Sequence, residues 1–213
     1  MRGVTLLAPG GRSKSVAAGS RLQAPAIRMY PILLGLHRDG RRHGIATCQL
    51  RYRMQGYNEG DPVADVAWAL DEIARRHGDV PVCLAGHSMG GRSVLRAAGA
   101  GNVRAVVALA PWLPPGEPVG QLAGRSVVIA HGLRDRVTDP GRSLEYALRG
   151  SAVAEHLCRF EVARSGHAML ERFWLWQRLV RDATLAGLGA EPWSDRLRRA
   201  FALPAESACR VEL

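Results

Sequence analysis

The pentapeptide GHSMG at Gly86–Gly90 constrains this chain more than any other stretch of its sequence. It follows the apolar run Val80–Ala85 and precedes a helical pattern, so Ser88 lies at a turn from a buried strand into a helix. In a nucleophile elbow, G-x-S-x-G holds the serine in a strained turn with its hydroxyl clear of the backbone. A Cβ at either glycine would force the strand and the helix apart. Taken alone, the motif also fits a glycine-rich turn whose serine caps a helix.

Two further motifs follow GHSMG in the chain. The apolar strand Ser126–Ala130 leads into a loop that carries Asp135, and the apolar stretch Leu157–Ala163 leads into a glycine-containing loop with His167. Each separation exceeds the about 30 residues that a strand-helix-strand unit occupies, so serine, acid and histidine follow different strands. Loops that leave the carboxyl ends of parallel strands lie at one edge of a sheet, and the three side chains can therefore meet.

These residue types together suit nucleophilic chemistry at neutral pH. A serine hydroxyl is a poor nucleophile unless a base stands beside it, and a histidine, with an ordinary pKa near 6.5, can take and return a proton. A carboxylate keeps the imidazole in the right tautomer and stabilises the imidazolium.

The order Ser88, Asp135, His167 resembles the α/β-hydrolase superfamily, and the chain is similar in outline to small members without a cap, such as dienelactone-hydrolase-like enzymes and carboxylesterases. The resemblance spans Val4 to about Leu185. It implies that Ser88 is the nucleophile, that His167 is the general base and acid, and that Asp135 orients the imidazole. It also implies an oxyanion hole made by the backbone N–H groups of Met89 and Gly11. The loop that holds Gly11 has Pro9 where the family usually has a histidine.

Several residues compete for these roles. Asp139 could be the acid, but it precedes Pro140 and is expected to cap a helix that begins there. Ser93 and Ser165 fit ordinary helix and turn positions. Of the seven histidines, only His167 sits in a glycine-containing loop after the last strand. The others fall in helical, loop, strand or motif positions: His37, His43, His77, His87, His131 and His156.

Continuous apolar strands alternate with amphipathic helices along the chain, which predicts a mostly parallel sheet with helices on both faces. The strand candidates are Val4–Ala8, Ile45–Arg51, Pro81–Ala85, Val103–Leu109, Ser126–Ala130 and Leu157–Ala163. The helix candidates are Pro62–Arg76, Gly90–Ala98, Ser143–Leu148, Met169–Leu185 and Trp193–Ala202. Compared with the family, the antiparallel strand pair at the start is missing, so the expected α/β-hydrolase fold is minimal, with about six strands. Residues 1–203 are expected to form one domain, followed by a C-terminal tail at 204–213.

The loops predict an open site. The connection at 110–125 is too short for a lid domain, and its Trp112 is expected either to form a wall of the substrate pocket or to anchor the loop. Arg12 lies on the long connection after the first strand, which is either an anion-binding specificity loop or a mobile surface loop. Tyr52 follows the second strand and is expected to line the other side of the pocket.

Composition narrows the class of protein. The four cysteines follow no metal-ligand spacing, which favours a protein without metal or cofactor in a reducing, cytoplasmic setting. No signal peptide and no run of 18 apolar residues is apparent, so no membrane partner is expected. The net charge is +10, but the basic residues are spread along the chain without interleaved aromatics, which argues against a nucleic-acid partner. The oligomeric state is open.

The sequence therefore favours a serine hydrolase that cleaves a small-molecule carboxylic ester or thioester through an acyl-enzyme. One alternative keeps the acyl-enzyme but passes the acyl group to an alcohol, an amine or an internal nucleophile, as an acyltransferase or cyclase does. A second alternative is a non-catalytic binding module, because a fold does not guarantee activity.

Overall fold

A single sheet of seven parallel strands forms the centre of the structure, a computed structural model that covers residues 1–213. The strands are β1 (Gly3–Ala8), β2 (Ile45–Gln49), β3 (Val82–His87), β4 (Val103–Leu109), β5 (Ser126–Gly132), β6 (His156–Val162) and β7 (Val211–Glu212), in the spatial order β2-β1-β3-β4-β5-β6-β7. Strands β1, β3 and β5 are buried along their whole length. Burial on both faces is why these strands read as continuous apolar runs instead of alternating ones.

Helices cover both faces of the sheet. They are α1 (Ala24–Arg28), α2 (Tyr30–Arg41), α3 (Asp61–His77), α4 (Met89–Arg96), α5 (Pro140–Gly150), α6 (Phe173–Gly187), α7 (Asp195–Phe201) and α8 (Ala205–Ala208). Two apolar cores of 27 and 21 buried residues result, one on each face, so neither side of the sheet is open to solvent. This confirms the expected parallel α/β architecture. No helix combines the length and the apolar character that crossing a bilayer requires.

The helices that follow β1 differ from the sequence expectation. The connection from Gly10 was expected to run as a loop to about Ala24, and it ends in α1 and α2, which the strand and helix candidates did not include. Helix α6 begins at Phe173 and not at Met169, because the intervening residues turn back after the β6 loop, with positive φ at Met169 and Arg172. That turn is the segment that carries His167 to the sheet edge.

The C-terminal segment adds a seventh strand to the sheet. Strand β7 pairs with β6 at Phe160 and Glu161, and α8 precedes it. The fully buried guanidinium of Arg159 anchors this segment, since its Nη1 donates to the Cys209 carbonyl at 3.0 Å and to Glu161 at 2.7 Å. The C-terminal segment shows no hydrophobic periodicity in the sequence, and a hydrogen bond from one buried arginine holds it against β6. All four cysteines are free, and Cys48 lies exposed on the edge strand β2.

Candidate active site

Ser88 stands alone between β3 and α4 in a strained backbone conformation. Its φ is +56° and its ψ is −118°, a region that non-glycine residues rarely occupy. A Cβ on Gly86 would lie 2.4 Å from the Gly90 carbonyl oxygen, and a Cβ on Gly90 would lie 2.0 Å from the Ala8 carbonyl oxygen. Both distances are far inside van der Waals contact, which confirms the steric reason for the two glycines. The strand-to-helix turn can be this sharp only because neither position carries a side chain.

A chain of hydrogen bonds joins three side chains from three loops. Ser88 Oγ lies 3.0 Å from His167 Nε2, and His167 Nδ1 lies 2.8 Å from Asp135 Oδ2. With its proton on Nδ1, the imidazole donates to the carboxylate and accepts from the serine hydroxyl. The structure thus brings together the serine, the histidine and the acid that the sequence singled out. Asp135 leaves β5 and His167 leaves β6, so the parallel sheet places them next to the elbow of β3.

Asp135 is surrounded by donors. Its Oδ1 accepts from the backbone N–H groups of Val137 at 2.8 Å and Thr138 at 3.0 Å. Its Oδ2 accepts from the Thr138 hydroxyl at 2.8 Å, and His131 Nε2 lies 3.2 Å away. Burial opposes ionisation, yet the hydrogen bonds from His131, from His167 and from the backbone outweigh it and hold the pKa of this carboxyl well below its ordinary value. Asp135 is therefore a fixed negative charge beside His167.

Asp139, the competing acid, lies elsewhere. Its carboxylate accepts from the backbone N–H of Gly141 at 2.8 Å and caps α5, with Pro140 in the first turn. Its side chain is 65 % exposed and faces Arg142, and the carboxylate that His167 meets is that of Asp135. The expectation that Asp139 caps a helix is confirmed.

His87 and His131 make contacts that the sequence analysis did not assign. His131, near the end of β5, reaches the carboxylate of Asp135 in the loop that follows. His87 Nε2 lies 2.9 Å from the backbone carbonyl oxygen of His167, so that nitrogen carries the proton and donates it. His87 therefore ties the elbow to the loop of His167. Only the folded structure reveals this link, since the two residues are 80 positions apart.

The buried imidazole of His87 predicts a specific pH dependence of stability. Burial, reinforced by the nearby His167, lowers its pKa to about 3, and its Nδ1 has no partner. In the unfolded chain this histidine has a pKa of about 6.5, so on acidification the unfolded state binds the proton at a higher pH than the folded state does. The contribution of neutral His87 to the free energy of unfolding is therefore complete above about pH 6.5 and is lost as the pH falls towards 3. By about pH 5 the loss should reach about 2 kcal/mol.

The variant His87→Gln isolates this effect. A glutamine amide can still donate to the His167 carbonyl but does not titrate. Urea unfolding at about pH 7.5 and about pH 5 should therefore show a smaller drop in the free energy of unfolding for the variant than for the parent. An equal drop in both proteins would show that His87 is not the group responsible.

Free backbone N–H groups border the serine hydroxyl. Met89 is the first residue of α4, so its N–H has no acceptor within the helix. The loop after β1 passes directly over the elbow, since a Cβ on Gly10 would lie 3.4 Å from Ser88 Cβ and one on Gly11 would lie 2.5 Å from the Met89 side chain. The N–H of Gly11 donates to no group in the protein. Both donors that the resemblance implied thus lie free beside the elbow.

A groove of about 850 Å³ adjoins helix α4, with Trp112 in its wall but none of the three side chains in the hydrogen-bonded chain from Ser88 to Asp135. Trp112 meets Tyr57 edge to face at a ring separation of 5.6 Å, and the Arg92 guanidinium lies 3.9 Å from the Tyr57 ring centroid and 4.8 Å from that of Trp112. Arg92 and Arg96 both pair with the buried Glu117. The connection 110–125 is therefore pinned to α4, and its only regular element is a short 3₁₀ turn. No lid covers the site.

The expectation for Tyr52 is wrong. Its side chain is only 2 % exposed, and its hydroxyl donates to the Pro9 carbonyl at 3.1 Å. Tyr52 therefore packs under the loop after β1, inside the protein, and has no exposed surface that could line a pocket.

Arg12 lies exposed on the loop after β1, and its guanidinium has no partner in the protein. The loop itself is not loose, because its backbone is hydrogen-bonded to residues 53–58.

Comparisons with known proteins agree with this architecture. The family model described as "Alpha/beta hydrolase family" matches residues 6–208. Three solved structures are similar: an alpha-beta serine hydrolase homologue from Coxiella burnetii (15 % identity, 85 % of this chain and 84 % of that one, TM-score 0.63), Est1E from Butyrivibrio proteoclasticus (14 %, 87 % and 88 %, 0.64) and a monoacylglycerol lipase from Paleococcus ferrophilus (14 %, 87 % and 94 %, 0.63). No curated protein sequence matches significantly. At such identities the structures indicate the fold alone, but the family model covers nearly the whole chain, and the protein belongs to the alpha/beta hydrolase family.

Proposed function

We propose that the protein is a serine hydrolase that cleaves a carboxylic ester or thioester through an acyl-enzyme. The observation that carries the proposal is the hydrogen-bonded chain from Ser88 Oγ through His167 to Asp135, at distances of 3.0 and 2.8 Å. A serine that is held in an elbow and bonded to a histidine with a fixed carboxylate behind it has what an activated nucleophile requires.

The proposed reaction has two halves. Ser88 Oγ attacks the carbonyl carbon while His167 Nε2 takes the hydroxyl proton, and the same proton then passes to the leaving alcohol or thiol as the acyl bond to it breaks. Water attacks the acyl-enzyme in the second half, gives a proton to His167 and releases the acid, and the proton returns to Ser88. Asp135 stays ionised throughout, since its pKa lies well below neutral, and it stabilises the imidazolium in both halves.

The negative charge on the carbonyl oxygen needs donors that are already in place. In the proposal these are the backbone N–H groups of Met89 and Gly11, which have no competing acceptor in helix α4 or in the loop. The N-terminus of α4 adds the positive end of its dipole at the same place. Donors that need no reorganisation stabilise the oxyanion more effectively than solvent does.

The groove that Trp112 lines is the proposed substrate site, because the backbone N–H of Trp112 donates to the Ser88 carbonyl at 3.1 Å and so links the groove to the elbow. Trp112 supplies an apolar wall whose orientation is fixed by Tyr57 and Arg92. Arg12, exposed on the opposite loop, is the proposed contact for a polar or anionic part of the substrate. The four free cysteines support the cytoplasmic location inferred from the sequence.

Turnover in ¹⁸O-labelled water distinguishes hydrolysis from acyl transfer. An uncapped site leaves the acyl-enzyme open to water, and a transferase would have to exclude water or hold its acceptor at high effective molarity. We expect one label in the product acid from a short acyl ester, with simple alcohols diverting only a minor fraction, as measured by mass spectrometry. An unlabelled ester, amide or cyclic product as the main species would instead identify an acyltransferase or cyclase.

A further inference from the structure

Large aliphatic side chains lie exposed around the candidate active site. Val16 and Leu22 follow β1 and are 84 % and 82 % exposed, Val137 follows β5 at 72 %, and Leu170 follows β6 at 71 %. Leu133 completes this group, which we call the apolar rim. All five residues lie on loops that leave the carboxyl ends of strands, and these are the loops that carry Asp135 and His167 or pass over Ser88. The apolar rim therefore lies at the edge of the sheet that holds the site.

Basic side chains without partners lie on the same loops. None of them takes part in an ion pair, and all are exposed: Arg12, Lys14, Arg21, Arg134, Arg136 and Arg164. The exposed acids on these loops are Asp139 and Glu171, of which Asp139 already faces Arg142. The edge of the sheet that holds the site is thus both apolar and positively charged, on a protein whose net charge is +10.

The loop after β1 holds its part of the rim in a fixed shape. Backbone hydrogen bonds join residues 12–19 to residues 53–58, among them Arg12 N–H to the Gln55 carbonyl at 2.9 Å and Gln55 N–H to the Ala17 carbonyl at 2.9 Å. A Cβ on Gly56 would lie 2.2 Å from the Ser15 nitrogen, so the two segments are in direct contact. Val16 cannot fold back into the core without breaking these bonds. Its exposure is built into the fold.

We infer that the apolar rim and its arginines dock the protein on an anionic lipid surface, so that Ser88 faces esters held in that surface. Aliphatic side chains flanked by arginine suit the boundary between charged head groups and acyl chains. The rim has no aromatic side chain to stack on a base, which argues against a nucleic acid. The cytoplasmic leaflet of a membrane carries negative charge, so docking on an anionic surface agrees with the proposed cytoplasmic location. The substrate part of this inference rests on the proposed hydrolase function, and the docking departs from the expectation of no membrane partner.

Co-sedimentation with vesicles tests the docking without any need for turnover. The protein should bind vesicles of mixed phosphatidylcholine and phosphatidylglycerol, bind pure phosphatidylcholine far more weakly, and dissociate as salt is raised. The double variant Arg134→Gln/Arg136→Gln should weaken binding by about 25-fold, since each cation near the surface contributes about a factor of five. Its matched control is Arg42→Gln/Arg104→Gln, which removes the same charge from the opposite edge of the sheet and should leave binding unchanged.

A second pair of variants tests the aliphatic part. Val16→Ser/Leu22→Ser should weaken binding to the anionic vesicles, whereas Leu203→Ser, near the far edge, should not. Ser88→Ala should bind as the parent does, so a failed hydrolase proposal and a failed docking proposal give different results. No binding to anionic vesicles, equal binding to both vesicle types, or an equal loss in the Arg42→Gln/Arg104→Gln control would overturn the inference. If the protein bound no vesicles, the apolar rim would instead be assigned to contact with a macromolecule.

Discussion

Replacing Ser88 with alanine should lower kcat on a short acyl ester by at least about 10⁴-fold, to the level supported by the oxyanion donors and binding alone. The reason is chemical, since no other serine lies in an elbow or within hydrogen-bond reach of His167 in the structure. The substitution removes one oxygen atom and should leave the fold intact. Steady-state hydrolysis and a thermal unfolding curve on the same preparation measure both effects.

Ser93→Ala is the matched control for this experiment. Ser93 lies on the same helix, α4, and its buried hydroxyl donates to the Met89 carbonyl at 2.9 Å. Its loss should cost some stability but leave most of the activity. Comparable activity in Ser88→Ala and Ser93→Ala would mean that the elbow serine is not the nucleophile.

Asp135→Asn should lower kcat by about 10³- to 10⁴-fold. An asparagine can keep the two backbone donors of Val137 and Thr138 on its carbonyl oxygen, which leaves its amide nitrogen where Oδ2 faces His167. That nitrogen donates, so the imidazole must accept on Nδ1 and carry its proton on Nε2, towards Ser88. A base protonated on that side cannot take the serine proton.

Asp139→Asn is the control for the acid, because Asp139 only caps α5 and faces solvent. It should change kcat little and lower stability slightly, since asparagine is also a good cap. If Asp139→Asn proved the more damaging of the two, the role of the acid would belong to Asp139.

Most strands were predictable because they are buried on both faces, the edge strand β2 being the exception. The six long strands appear in the sequence as continuous apolar runs, and their observed ends lie within one or two residues of the predicted ones. Helix α3 has apolar residues at helical spacing over a long stretch and was equally clear. Its observed span, Asp61–His77, exceeds the predicted Pro62–Arg76 by one residue at each end.

Helices α1 and α2 were missed because their residues weaken the local pattern. Pro25 and Pro31 look like helix breakers, yet both occupy the first turn of a helix, where proline is well tolerated. Ile32 and Leu36, buried four residues apart, were the positive signal for α2. Packing of α2 against β2 and α6 then stabilises a helix that contains two glycines.

Part of the candidate site could be predicted from the sequence, and part of it could not. Ser88, Asp135 and His167 could be found from the sequence because each follows a recognisable strand and the parallel topology fixes where strand ends meet. The contacts of His87 and His131 could not, since one depends on where the loop after β6 lies and the other on how the chain turns back after β5. Tyr52 misled the analysis for a related reason. A tyrosine after a strand end can face the pocket or the core, and only the position of the Pro9 carbonyl decides between them.

Labelling with a fluorophosphonate, followed by peptide mass spectrometry, tests the central claim most directly. The probe forms a stable bond only with a serine that is activated by a base and assisted by an oxyanion hole, so it reports the nucleophile without knowledge of the substrate. We expect a single adduct on the peptide that contains Ser88, and none in Ser88→Ala. An unlabelled parent, or an adduct that persists in Ser88→Ala, would contradict the proposed nucleophile.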